Sequence, residues 1–256
     1  MAGEKVGLSI GHHEDTWEET GGKGLANDGT GRRWEEFWFN NEVGKHAYTR
    51  LKEHGFDVVL PQTWDGVGRS LKYRADMFDR EKTKLNVSIH ANAGPPTAKG
   101  ACIFYWHNSA GGKKFADIWL KNFKQLCPEQ GVHGTGQHKS KVGEWTDFYI
   151  IRETDAVTDL IEHGFFTNTT QLKNLKSPDF QKRCAEVIVK SVCEYFSVTY
   201  KASNSDPHAW KYEGVNYLHK NNLLNDLVGW SNKIDEDMPV WAVTLILANV
   251  HRDLKK

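Results

Sequence analysis

The sequence predicts an α/β fold: a largely parallel sheet covered by helices on both faces, followed by a small C-terminal helical domain. Three observations carry this. Short apolar runs alternate with stretches of helical periodicity over the first 197 residues. Strands separated by helices imply right-handed crossovers, and so mostly parallel neighbours. A polar break, VTYKASNSDPHA at 198–209, then sets this body apart from a shorter tail.

Element by element, VGLSI (6–10) reads as a buried strand. Residues 36–54 place Phe39, Val43, Ala47 and Leu51 on one helical face, and Gly55 ends that helix. FDVVLP (56–61) is a strand closed by proline, SLKYRADMFDREKT (70–83) a helix, and LNVSIHAN (85–92) a third strand. GACIFYWH (100–107) is strand-like, and 112–127 is a helix with Phe115, Trp119 and Phe123 in register. GVHGTGQHKSKVGEW (131–145), rich in glycine and histidine, reads as a loop, and DFYII (147–151) and VTDLIEHG (157–164) as strands. Ser177-Pro178, a cap residue followed by proline at the first helical position, opens a helix that runs to about Phe196. The expected divisions are a main domain at 1–197, a linker at 198–206 and a helical module at 207–256. So short a module buries little apolar surface, so it is expected to lean on the main domain, a partner or a second copy of itself.

Composition narrows the function. Hydrophobic residues at 39% and charged residues at 26% describe an ordinary globular protein. Lys plus Arg equals Asp plus Glu at 33 each, which argues against a nucleic-acid backbone as partner, since that calls for a basic excess. The longest apolar stretch, Val240 to Val250, is about 11 residues, short of the roughly 20 a membrane span needs. MAGEKVGLSIGHHED shows no charged-then-apolar leader, so the expectation is a protein made in the cytoplasm without an export address. Cys102, Cys127, Cys184 and Cys193 form no CxxC pattern and are expected to be reduced and buried.

In an open α/β sheet, ligands gather outside the carboxyl ends of the strands. His12 and His13 follow the first strand, His90 follows NVSI, and Glu162 follows VTDLI with His163 beside it. Glu36 lies in the first turn of the helix after the long 11–34 loop, at the same edge. Two neutral imidazoles and a carboxylate form a catalytic zinc set with one position left for water, and a further glutamate can take that water's proton. His12, Glu36 and His90 as ligands with Glu162 as base is the economical assignment. Each residue has a plainer reading. A histidine after a strand can sit in a solvated loop or a turn, Glu36 can answer the helix dipole, and Glu162 can end its strand in a surface ion pair.

SIGHHE, EFWFNNEVGKHAYTRLKEHGFDVVL, SLKYRADMFDR, NVSIHANAG and LIEHGFFTNTTQLKNL together resemble the zinc-dependent N-acetylmuramoyl-L-alanine amidases of bacterial autolysins and phage endolysins. Order and spacing agree over about residues 5–197. The resemblance implies a mixed sheet of about six strands flanked by helices. It implies one zinc ion held by His12, Glu36 and His90, with Glu162 as the catalytic glutamate. Asn40 fits the family's helix pattern and shares Glu36's face, and Arg74 takes the place of a structural arginine. The implied reaction is hydrolysis of the amide between the lactyl group of N-acetylmuramic acid and the L-alanine of the stem peptide, in a Gram-positive-type peptidoglycan. Action at the wall after holin- or lysis-dependent release follows from the same resemblance.

Departures are as informative. Family members usually carry glycine after the first zinc histidine, where this chain has His13: a spare imidazole, a donor behind the ligands, a solvated side chain or, as the lesser alternative, the ligand in place of His12. Asp159 stands where an apolar strand residue is usual, so either it faces a polar partner or the match slips there. His133 and His138 read as solvated loop histidines near the cleft. In the tail, VNYLHKNNLLND and MPVWAVTLILANVHRDL resemble one S-layer-homology unit, which implies wall binding through Trp210, Tyr212, Tyr217, Trp230 and Trp241. The plainer reading makes these aromatics the module's own core. Two other functions compete: another zinc peptidoglycan peptidase or carboxypeptidase, and a non-catalytic wall-binding protein with a decayed site.

Overall fold

The computed structural model of the chain describes residues 3–64 and 66–202, together with positions 218, 220 and 221. Apart from those three positions, the helical module expected over 207–256 lies outside the described residues.

Side-chain alternation decides which face of the sheet holds the core. Along β1 (Lys5–Ile10), Val6, Leu8 and Ile10 are fully buried toward one face, and Gly7 and Ser9 turn to the other. β5 (Leu85–Asn92) repeats the pattern, with Leu85, Val87 and Ile89 on the apolar face and Asn86, Ser88 and His90 opposite. With β4 (Asp57–Val59), β6 (Ala101–Trp106), β7 (Val132–Ser140) and β8 (Val157–Phe165) they form one six-stranded sheet in the order β4-β1-β5-β8-β6-β7. All neighbours are parallel except β6 and β8. The sheet is therefore mixed and mostly parallel, as expected.

Helices α2 (Glu36–Glu53), α4 (Ala110–Leu126) and α7 (Pro178–Tyr195) cover the apolar face. α2 buries Phe39, Val43, Ala47 and Leu51, the residues its periodicity puts in one row. Ser177 caps α7 by accepting from the Phe180 N–H, with Pro178 at the first helical position. The other face is covered only in part. There α3 (Leu71–Glu81) and α5 (Tyr149–Arg152) pack Ala75, Phe78, Ile150 and Ile151 over Val59, Cys102, Phe104 and Leu160. Beside them Ser88, His90 and Glu162, toward the carboxyl ends of β5 and β8, line a cleft instead.

Several local expectations are corrected. The segment read as a loop over 131–145 contains β7, which among the described residues is an edge strand paired with β6 alone. Its glycines and half-exposed polar residues give no alternation because it has one partner and packs on little. DFYII forms no strand; Tyr149–Arg152 is a helical turn that buries Ile150 and Ile151 together. A short apolar run cannot distinguish these outcomes by periodicity. α1 (Thr16–Thr20), the two-residue ladder β2 (Gly24–Leu25) with β3 (Trp34–Glu35), and α6 (Thr169–Leu175) are additions within stretches that showed no pattern. His90 and Glu162 lie inside their strands, close to the carboxyl ends, rather than beyond them.

The first residues of the expected linker pack on the main body. Tyr200 is 1% exposed, donates to Glu186 Oε2 at 2.6 Å and stacks on His54. All four cysteines are free and buried. Among the described residues no helix is long and apolar enough to cross a membrane.

Asp159 sits fully buried in mid-strand, and among the described residues neither of its oxygens has a hydrogen-bond partner. Its Oδ1 lies only 2.8 Å from where a Cβ on Gly112 would stand, so glycine at the start of α4 makes room for it. Burial pushes the carboxyl well above the usual carboxylate range. The folded chain therefore keeps a proton that the unfolded chain releases near pH 4. Stability from this site is complete below that pH and is lost as pH rises toward the folded-state value. Asp159→Asn has no such proton to lose, so its melting temperature relative to wild type is expected to rise between about pH 4.5 and about pH 8. A difference that does not change with pH would count against this account.

Candidate active site

Glu36 is the first residue of α2, and the short β2–β3 ladder delivers it. The Glu36 N–H donates to the Lys23 carbonyl at 2.9 Å, which ties the start of the helix to the residue that leads into β2. The carboxylate is 4% exposed and points into a group of donors. Its Oε1 accepts from Asn40 Nδ2 at 3.1 Å and from the Ala91 N–H at 3.0 Å, and lies 3.0 Å from His90 Nδ1. Its Oε2 lies 2.9 Å from His12 Nε2. Asn40, one turn along the same helix face, also donates to the Gly11 carbonyl at 3.1 Å.

The two imidazoles come from the ends of neighbouring strands β1 and β5, and meet edge to face with ring centroids 5.2 Å apart. One ligand atom each from His12, Glu36 and His90 falls within 4.8 Å of the others. Burial alone would raise the Glu36 carboxyl, but the charge and hydrogen bond of His12, with those of His90, hold it well below the usual carboxylate range. Burial draws His90 below the usual imidazole range against the pull of Glu36, which favours the neutral ring that ligation requires. A carboxylate held ionised and two convergent imidazoles fit a zinc ion.

His12 adopts a left-handed backbone conformation, with φ of 64°. Gly11 does not supply the turn that a glycine before the histidines suggests. It is needed instead for close approach, since a Cβ there would stand 2.5 Å from the His90 ring and 2.6 Å from Asn40 Nδ2. The bend is held by side chains gripping carbonyls. Gln62 Nε2 donates to the His12 carbonyl at 3.0 Å and Arg74 Nη2 at 3.2 Å, and Arg74 Nη1 also donates to the Ile10 carbonyl. Arg74 is 3% exposed, its guanidinium lowered to about 10 by burial.

Glu162 faces the same space from β8, in register with His90 on one side and Cys102 on the other. Its Oε2 is buried without a hydrogen-bond partner among the described residues. Burial, reinforced by the nearby Glu36 charge, pushes its carboxyl well above the usual range, with Lys23 pulling the other way. These groups line a cleft of about 630 Å³ that also takes in His13, Lys23, Arg69 and Phe148.

His13 stands outside the converging set. Its Nε2 lies 3.2 Å from Glu19 Oε2, and its backbone N–H donates to Thr16 Oγ1 at 2.9 Å, so it anchors the short α1 at the rim. His163 belongs to the core. It is fully buried against Phe39, Trp119 and Phe123 on the opposite face of the sheet, and burial lowers it to about 4. His133 and His138 lie on β7 with ring centroids 6.1 Å apart, away from the converging ligand atoms. Gln62 is the functional-site residue with no sequence signal, because nothing in PQTW marks a side chain that will bond a carbonyl 50 residues earlier.

A family profile described as N-acetylmuramoyl-L-alanine amidase matches residues 6–194. The germination-specific N-acetylmuramoyl-L-alanine amidase of Bacillus subtilis (strain 168) is 25% identical over 216 residues, covering 77% of this chain and 81% of that protein. Among solved structures, the catalytic domain of CwlV, an N-acetylmuramoyl-L-alanine amidase from Bacillus (Paenibacillus) polymyxa var. colistinus, is 27% identical. It superposes with a TM-score of 0.63 over 76% of this chain and 99% of that one. The CwlD amidase of Clostridioides difficile, solved with the GerS lipoprotein, shares the fold at a TM-score of 0.65 and 20% identity, covering 76% of this chain and 98% of that one.

Asn40→Ala removes a donor from the Glu36 carboxylate and leaves the Gly11 carbonyl without its amide partner. Zinc affinity, measured by competition with a chromophoric chelator, is expected to fall about 10- to 100-fold, as for other partners behind metal ligands. Unchanged affinity would mean that Asn40 does not orient Glu36.

Proposed function

The chain belongs to the N-acetylmuramoyl-L-alanine amidase family, and on that premise we propose that it cleaves the amide between the lactyl group of N-acetylmuramic acid and L-alanine, with one zinc ion held by His12, Glu36 and His90 and with Glu162 moving the proton. The observation that carries this reading is the convergence of three ligand atoms within 4.8 Å beneath a cleft that Glu162 also faces. Zinc, when bound, supplies a Lewis acid that polarises the scissile carbonyl and acidifies the attacking water.

The residues of the chain do the rest. Glu36 and His90 are held ready to ligate by Asn40, by the Ala91 N–H and by β5 itself. Glu162 Oε2, buried and without a hydrogen-bond partner among the described residues, accepts a proton from the attacking water as the water oxygen bonds to the carbonyl carbon. As the carbon–nitrogen bond breaks, the same carboxyl passes that proton to the leaving alanine nitrogen and returns to its starting state. The raised proton affinity of Glu162 suits the second half of this exchange, in which the carboxyl holds the proton until the leaving nitrogen takes it.

The cleft is open to the surface, as a polymer substrate requires. We also read the substrate as a Gram-positive-type wall reached after holin- or lysis-dependent release. Similarity to amidases of Bacillus subtilis supports the wall type. Wall binding and self-association through 207–256 belong to the same reading.

Purified Gram-positive sacculi treated with the wild-type, chelated and zinc-restored protein test the chemistry. New N-terminal L-alanine is expected with the first and third only. New reducing sugar ends, or amino termini of other residues, would defeat the amidase reading in favour of a glycosidase or a peptidase. Glu162→Gln is expected to bind one zinc per chain while losing at least about 100-fold in kcat, the scale of a lost general acid–base group. Near-normal turnover in that variant would remove Glu162 from the proton transfer.

A further inference from the structure

The open face of the sheet continues past Glu162 toward the β7 edge, and its character changes there. Glu162 is in register with Cys102, and one row along Leu160 is in register with Phe104 and Phe104 with His138. Residues in register share a face, so Glu162, Phe104 and His138 look out on the same side. Two strand spacings separate β8 from β7, roughly 10 Å.

Trp145 stands over this row. At 75% exposed it is the most exposed large hydrophobic side chain among the described residues. It is nevertheless supported from below. Its ring meets Phe104 edge-on at 5.7 Å between centroids and His138 at 6.4 Å. Phe104 in turn packs on Phe148 at 4.9 Å, and Phe148 lines the cleft. The aromatic surface is thus continuous with the site. The charges beside Trp145 are paired off, Lys141 with Glu144 at 3.5 Å and Asp147 with Arg152, so the surface it offers is neutral. Across the cleft Arg69 is exposed, touching the Gly68 carbonyl and the Tyr73 ring, and among the described residues it meets no carboxylate.

A substrate cut at the lactyl–alanine amide runs from the reacting carbonyl in two directions. One arm is a saccharide strand, uncharged once its lactyl carboxyls are in amide linkage. The other is a stem peptide that carries carboxylates. A broad, neutral, solvent-facing indole offers its electron-rich face to the C–H groups of a sugar ring, and the Arg69 guanidinium suits a carboxylate of the acidic arm. We propose that Trp145, seated on Phe104 and His138, is a saccharide platform that receives the glycan strand on the β7 side of the cleft. The inference rests on the amidase reading for the direction of the substrate.

Two measurements test it on the full chain. The first compares kcat/KM for a peptide-bearing tetrasaccharide with kcat/KM for a single muramoyl peptide. Trp145→Gln is expected to lower the ratio of these values at least about fivefold, and Trp145→Phe, which keeps a stacking face, to restore most of it. A ratio equal to wild type in both variants overturns the platform. The second needs no turnover: an N-acetylglucosamine tetrasaccharide, titrated calorimetrically, is expected to bind Trp145→Gln at least about fivefold more weakly than wild type. Equal binding overturns the proposal, as does a loss confined to free stem peptide. Absence of new N-terminal L-alanine with wild type would instead fault the amidase reading, while the titration still reports on the platform. Melting temperatures of the two variants, expected to match wild type for so exposed a residue, exclude misfolding.

Discussion

A carboxylate buried at the end of a sheet is the constraint on which this structure depends. Taking an ion such as Glu36 out of water costs several kcal/mol unless its oxygens are satisfied. Among the described residues no lysine or arginine pairs with it. Two imidazoles, one side-chain amide and one backbone N–H satisfy it instead. Those groups arrive from three places: α2 has to begin at Glu36 so that Asn40 follows one turn on, β5 has to carry His90 and Ala91 to the start of that helix, and the chain after β1 has to bend back. The mixed sheet, the β2–β3 ladder and the arginine under the bend all serve that meeting. One carboxylate held ionised among converging imidazole nitrogens is the donor set of a cation site.

The two faces of the sheet divide the work. On one, Val6, Leu8, Ile10, Val87, Ile89 and Ile161 join three helices in a dry core. On the other, the same strands present Ser9, Ser88, His90 and Glu162, and the covering helices α3 and α5 are too short to seal them. A parallel strand buried on both faces would be apolar throughout. The alternation in VGLSI and NVSIHAN therefore records where the second covering layer stops.

That alternation is why so much was legible in the sequence. The strands carrying His90 and Glu162, the helix carrying Glu36 and Asn40, and the shared edge all follow from periodicity and from the rule that ligands gather at carboxyl ends. What escaped was decided by contacts distant in sequence or by too little burial to leave a pattern. β7 is an edge strand with glycines at 134 and 136, and DFYII is an apolar run too short to declare its period. Asp159 is anomalous in its strand, and among the described residues its oxygens meet no hydrogen-bond partner, only the space left by Gly112. His163, adjacent to the catalytic candidate, points the other way because successive strand residues must.

The adjacent histidines at 12 and 13 make the same argument at the scale of one residue. In an extended chain their side chains would leave opposite faces, and neither position at the end of β1 would bring a ring onto Glu36 without a change of direction. The left-handed conformation of His12 supplies that change at a residue with a Cβ, where it costs on the order of 1–3 kcal/mol. Such a conformation persists only when its surroundings over-determine it. Here the Gln62 amide and the Arg74 guanidinium hold the His12 carbonyl, and Arg74 holds that of Ile10 as well. Glycine at position 11 lets the His90 ring and Asn40 close in behind. His12 is thereby directed at the carboxylate, and His13 at Glu19 on the rim. Two identical side chains take on different tasks because one backbone torsion separates them, and the strain in that torsion is held by residues from 50 to more than 60 positions away.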